Sequence, residues 1–225
     1  MYLEVVPVPA VEPLAFDVVA EANHRIANNL SIISGLVRIH GAAICKEPRM
    51  MSRDDVRLIL EEVGGRLDAV ARLHRLLAAG RHEAPINVAD FLREIVERAV
   101  SALSIGGATE LQFDFGFGCC VPPEKALALG LITGELVTNA VKYAHPAGVA
   151  GQIRLACRRN PDDSITIDIS DDGVGLPEGV DPMKNGHFGF RVVRSLVDQL
   201  GATMAFRSDS LGLLFMLRLP ASSAA

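Results

Sequence analysis

The sequence predicts an α+β chain in two parts: an antiparallel helical hairpin, paired with a second copy into a four-helix bundle, and then an α/β sandwich. Two long runs, 13–46 and 52–80, keep apolar residues about every 3.5 positions, the period of a packed helix seam. After Pro85 the pattern changes to short alternating strands, helical stretches and consecutive hairpins. That mixture suits one sheet covered on one face by helices. Of the 225 residues 49% are apolar, enough for a core in each part.

Residues 1–12 form an N-terminal extension. They lack the basic segment and long apolar core of a signal peptide. In the first helical run Ala22, Ile26, Leu30, Ile33 and Val37 make the seam. His24 and Asn28 are four residues apart and share another side, with Glu21 one turn earlier and Arg25 alongside. His24 is therefore expected to be exposed on a rigid helix; taken alone, such a residue is an ordinary surface histidine. Glu47-Pro48 interrupts the run, because proline cannot continue a helix interior. Ser52 starts the second helix, with Asp54 and Asp55 at the positive end of its dipole. Its seam is Val56, Leu60, Val63, Leu67, Val70 and Leu77. Gly64-Gly65 weakens it by about 1 kcal/mol per glycine relative to alanine. Two helices joined by a short connection pack antiparallel but bury their seams poorly, so a homodimer is expected. His40 and His74 fall at or beside the seam and read as packed residues. Residues 13–80 thus form the hairpin, 81–85 a polar linker and 86–225 the second domain.

In that domain Asn87 or Asp90 caps a helix running to about Leu103. Glu110 to Phe115 alternates as a strand, followed by turn glycines and a short apolar run at Cys119 to Val121. Glu124 to Ala144 is helical. Gln152 to Arg158 and Ser164 to Ser170 form a hairpin around Asn160-Pro161-Asp162-Asp163. After a glycine-rich loop, Phe190 to Leu200 is helical and stops at Gly201. Ala202 to Ser208 and Leu213 to Leu219 are the last strands.

Three pieces of this domain carry chemistry. On a helix Glu135, Asn139 and Lys142 share a face, and a carboxylate, an amide oxygen and an ammonium in a row suit a magnesium-bound phosphate. The competing reading is a solvated helix face. Asp171-Asp172-Gly173-Val174-Gly175 follows a strand; its glycines allow close approach to a ligand, and an aspartate can accept from an exocyclic amine. The same run also suits a plain turn. Gly186-His187-Phe188-Gly189 leads into a helix N-terminus, a natural phosphate cradle.

The totals exclude several classes. A net charge of −5 argues against a general nucleic-acid binder. No run approaches the length of apolar residues needed to cross a membrane, so no membrane insertion is expected. Cys45, Cys119, Cys120 and Cys157 show neither C-x-x-C pairing nor metal spacing and read as reduced thiols in cytoplasm.

The order of the pieces resembles the sensor histidine kinases of two-component signalling. H-R-I-A-N-N-L, beginning at His24, is similar to the pattern H-R-V-K-N-N-L of the HisKA_2 subfamily, related to the HWE kinases. E-L-V-T-N-A-V-K, D-D-G-V-G and the glycine loop look like the boxes of a Bergerat-type, GHKL ATP-binding domain, the fold shared with gyrase and MutL. The resemblance runs from about Phe16 to Pro220. It implies His24 as phosphoacceptor and Asn28 at the position implicated in dephosphorylating a bound regulator. It implies Asn139 as the magnesium holder, Glu135 near the metal-bound water and Lys142 near phosphate. It implies Asp171 on the adenine amine, Gly173 and Gly175 shaping that wall, and Gly186 and Gly189 bordering a lid over the phosphates. ATP and Mg2+ are the implied cofactors. Ala27 replaces the subfamily's lysine, Tyr143 stands where histidine is common, no W-x-E motif occurs, and the lid between Leu176 and Gly189 is short.

The expected activity is autophosphorylation of His24 from ATP, followed by transfer to an aspartate of a response regulator receiver domain. No sensor module precedes the hairpin, so the signal is expected from a separate partner protein. The alternative is a sensor-less histidine phosphotransferase, a phosphorelay module whose ATP-binding domain is degenerate. A third class, a binding switch that sequesters a partner, ranks last because the histidine hairpin is present.

Overall fold

The computed structural model describes residues 85–103, 109–146, 149–177, 179–180, 182 and 188–221, with isolated positions between 34 and 71. Those isolated positions are helical apart from Ser52. Val56, Leu60 and Leu67, three residues of the second seam, are 45, 66 and 46% exposed in the single chain.

The second half begins with the strand β1 (Ile86–Asn87) and the helix α1 (Val88–Leu103). Asn87 is the cap: its Oδ1 accepts from the backbone N–H of Ala89 at 2.9 Å and Asp90 at 3.4 Å. These are two of the donors that a helix start leaves unpaired. Then come β2 (Glu110–Phe115), β3 (Cys120–Val121) and α2 (Pro123–Tyr143). α2 has no side-chain cap; it starts on a proline, whose missing N–H and fixed φ suit the first turn. β4 (Gln152–Arg159) and β5 (Ile165–Asp171) follow, then α3 (Phe188–Gln199), β6 (Thr203–Asp209) and β7 (Gly212–Leu219). The α3 helix begins at Phe188, two residues before the sequence pattern suggests. It ends where Gly201 takes φ +60° and the Ala202 N–H returns to the carbonyl of Val197 at 3.1 Å.

Five strands form one sheet in the order β2-β4-β5-β7-β6. β2 and β4 are parallel and the other pairs antiparallel. β1 pairs with β3, Ile86 opposite Val121, as a separate two-stranded piece. Strand alternation sends Ile153, Leu155, Ile167, Ile169, Phe215 and Leu217 to one face, where all are buried. The helices cover that face, with α2 packed against both α1 and α3. The close approach of α1 and α2 depends on Gly130, where a Cβ would stand 2.7 Å from Ile95 Cδ1 and 3.0 Å from Phe91. The architecture is thus a helical region followed by a helix-covered α/β sheet, as the sequence pattern predicts.

Candidate functional site

α2 carries Glu135, Asn139 and Lys142, but their burial is uneven. Glu135 is 5% exposed, whereas Asn139 and Lys142 are half-buried. A solvated helix face does not describe Glu135. Its neighbour is α3: a Cβ at Gly189 would stand 2.2 Å from Glu135 Oε1. Gly189 therefore leaves the space that the carboxylate occupies beside the first turn of α3, where the helix dipole favours negative charge.

Asp171 closes β5. Its Oδ1 accepts from the N–H of Gly173 at 3.0 Å and of Leu213 at 3.3 Å. Burial pushes its carboxyl above the usual carboxylate range, more than these two hydrogen bonds and the nearby His145 pull it down. The two glycines that follow are required by packing. At Gly173 a Cβ would stand 2.4 Å from the Cβ and carbonyl oxygen of Ala144, and the next N–H, of Val174, donates to that carbonyl at 2.9 Å. Gly175 has φ +68°, and a Cβ there would meet the Asp209 carbonyl at 2.3 Å. Leu176 N–H donates to Ser208 Oγ at 2.7 Å. The D-x-G-x-G segment is thus wedged between the end of α2 and the turn joining β6 to β7. It is not a free-standing turn.

Asp172 faces a different set of partners. Its Oδ1 lies 2.7 Å from His145 Nε2 and accepts from the Gln152 N–H at 2.8 Å. Burial acts to raise its pKa, but the Gln152 N–H and the His145 ring outweigh it, so the carboxyl lies below its ordinary value. Sequence reasoning singled out neither His145 nor Asp172. The signal was faint: an Asp-Asp doublet, and a histidine shortly after Lys142, with the partners 27 positions apart.

The described elements bring Glu135 of α2, on the helix that also carries Asn139 and Lys142, against Gly189 of α3; they bring Gly173 to the C-terminal end of α2, Gly175 to the turn joining β6 and β7, and Asp171 to the start of β7. His24, Asn28 and Gly186 lie outside the described residues. Among the described residues no group of three or more His, Cys, Asp and Glu side chains could hold a metal ion. Asn139 offers a single amide oxygen, which fits magnesium arriving already bound to phosphate oxygens and water rather than a resident ion. No helix among the described residues is long and apolar enough to cross a membrane.

Comparison with known proteins places this geometry. Residues 21–103 match the HisKA_2 family, described as histidine kinase. Residues 124–223 match the HATPase_c family, described as histidine kinase-, DNA gyrase B-, and HSP90-like ATPase. The HisKA_2 match runs through α1, although α1 packs on α2 of the second half. Blue-light-activated histidine kinase 2 of Erythrobacter litoralis is 26% identical over 207 residues, covering 90% of this chain and 57% of that protein. Sensor histidine kinase PdtaS of Mycobacterium tuberculosis is 26% identical over 191 residues, covering 84% of this chain and 36% of that protein. The chain thus spans between about a third and three-fifths of the length of these relatives. A solved structure of the histidine kinase domain from the Erythrobacter litoralis EL346 blue-light activated histidine kinase superposes with a TM-score of 0.69. It is 26% identical and covers 89% of this chain and 92% of that one.

Proposed function

We infer that this chain, which belongs to the histidine kinases through its HisKA_2 and HATPase_c regions, uses ATP to phosphorylate His24 and passes the phosphoryl group to an aspartate of a response regulator receiver domain. The observation that carries the ATP half of this reading is Asp171. Its Oδ1 is held by two backbone N–H groups, leaving Oδ2, which no described residue hydrogen-bonds, to accept from the adenine amine. Gly173 keeps this wall against the end of the helix that carries Asn139 and Lys142. Adenine at Asp171 and phosphate toward Asn139, Lys142 and the first turn of α3 is therefore the binding mode we propose, with Gly175 shaping the wall and Gly186 and Gly189 bordering the phosphates.

The chemistry asked of these residues is mostly positioning. Asn139 would hold the magnesium carried in on ATP, which would offset charge on the phosphates; Glu135 would stand beside a water on that ion, and Lys142 would neutralise charge on the transferred group. The His24 imidazole attacks the γ-phosphorus, the bond to the bridging oxygen breaks, and ADP leaves. Asn28, four positions after His24 in the sequence, is assigned to hydrolysis of the regulator's phosphoaspartate. We place the hairpin at 13–80, a linker at 81–85 and the ATP-binding domain at 86–225. The exposure of Val56, Leu60 and Leu67 in the single chain supports a homodimer through the hairpin. Free thiols at Cys119, Cys120 and Cys157 suit a reducing, cytoplasmic setting.

Incubation with γ-labelled ATP and magnesium tests the activity. Acid-labile label on the wild type and none on His24→Gln is expected. An unlabelled wild type that accepts label from a phosphorylated regulator would instead make the chain a phosphorelay module.

A further inference from the structure

We propose that His145 is a positioning residue for nucleotide binding: by hydrogen-bonding Asp172 it holds the adjacent Asp171 in the orientation that accepts the adenine amine. This inference rests on the adenine-binding reading of Asp171 given above.

The end of β5 carries two consecutive carboxylates, and each is tied on one oxygen by two donors. Asp171 Oδ1 is tied toward the final hairpin, through Leu213 N–H, and to its own loop, through Gly173 N–H. Asp172 Oδ1 is tied toward the end of α2, through His145 Nε2, and to the start of β4, through Gln152 N–H. Successive side chains of an extended segment point to opposite sides. One backbone unit is therefore fastened from both sides, and neither carboxylate can turn without straining the bonds of the other.

His145 is itself located by packing. Its ring lies over Gly151, where a Cβ would stand 2.1 Å from the ring Cδ2. It follows Ala144, whose carbonyl accepts Val174 N–H and whose Cβ fills the place a side chain at 173 would take. The ring is about one-fifth exposed and the Asp172 carboxylate about half exposed, so this contact is not a requirement of core burial. A polar contact at the solvent edge adds little to stability. Its consequence is geometric: it links the helix bearing Asn139 and Lys142 to the loop bearing Asp171, that is, the phosphate end of the site to the base end.

The chemistry gives a specific readout. An ionised, fixed carboxylate accepts from the exocyclic amine of adenine and repels the oxygen that guanine presents at the equivalent position. Loss of the His145 contact removes this discrimination before it removes the fold. The measurement is displacement of a fluorescent ADP analogue from the full-length chain by ADP and by GDP, both with magnesium, alongside thermal melting. His145→Ala is expected to weaken ADP binding about tenfold, leave the weaker GDP binding unchanged and hold the melting temperature. His145→Gln, whose Nε2 reaches the same place, is expected to restore ADP binding. Asp172→Ala is expected to reproduce the loss of ADP binding, with some loss of stability at neutral pH, and serves in place of His145→Ala should that variant not fold. ADP binding by both alanine variants equal to wild type would overturn the proposal, as would a loss in His145→Ala that glutamine does not restore. A wild type that binds no ADP overturns the nucleotide reading itself, an outcome distinct from either.

Discussion

At Asp171, stability and the proposed adenine contact pull in opposite directions. Its carboxyl is held above the usual range by burial, so the folded state takes up its proton more readily than the unfolded chain. The charged form is a cost to the fold at neutral pH, relieved as pH falls through the raised value. Asn at this position keeps an Oδ1 for Gly173 and Leu213 but carries no charge. Asp171→Asn is expected to melt no lower than wild type at pH 7, yet to lose ADP affinity by well over tenfold, because an amide N–H now faces the adenine amine. Melting curves and nucleotide titration on one preparation check both. Asp172 has the opposite sign: its depressed carboxyl adds stability above its ordinary value, and this is lost as pH falls through the lowered one. Acid melting of Asp172→Ala is accordingly expected to lose the part of the wild-type pH dependence that lies below that ordinary value. Of these residues the sequence made Asp171 legible, since a strand ending in D-x-G-x-G has chemistry in its spacing. His145 and Asp172 were not, because their meeting depends on how α2, β4 and β5 come together, and they lie 27 positions apart.

Among the elements, α2 sets the site because it is packed on both sides. Gly130 brings α1 against it and Gly189 brings α3 over Glu135. Gly130→Val would push into Ile95 and Phe91 and is expected to destabilise by about 2 kcal/mol, read from urea unfolding, with nucleotide affinity unchanged at temperatures where the protein is folded. Gly189→Val would meet Glu135 Oε1 and is expected to reduce magnesium-dependent binding as well as stability, which separates the two glycines by function. The strands and helices were legible because alternation and the 3.6-residue period are local. The capping choice between Asn87 and Asp90 and the start of α3 at Phe188 depended on geometry that spacing leaves open. The burial of Glu135 was also hidden. A helix face read by itself looks solvated, and the residue that covers it comes from another element 54 positions later.

For the molecule as a whole, the exposed seam of the second helix has a direct assay. Leu60→Asp is expected to shift the chain from dimer to monomer in sedimentation, leaving nucleotide binding in the second half intact, because an aspartate replaces an apolar contact at the proposed interface. The two-part architecture was legible from a change of period at Pro85; how the hairpin meets the second half depends on residues outside those described. The last hairpin adds a consequence in time. Leu213 donates to Asp171 across 42 residues of chain, and the Gly212 Cα lies against the Asp171 carbonyl with no room for a side chain. The proposed nucleotide wall therefore rests on a contact of long sequence separation, whose loop must close before the contact can form. A chain without β7 lacks that donor, so the proposed wall is completed only once these two distant segments have met.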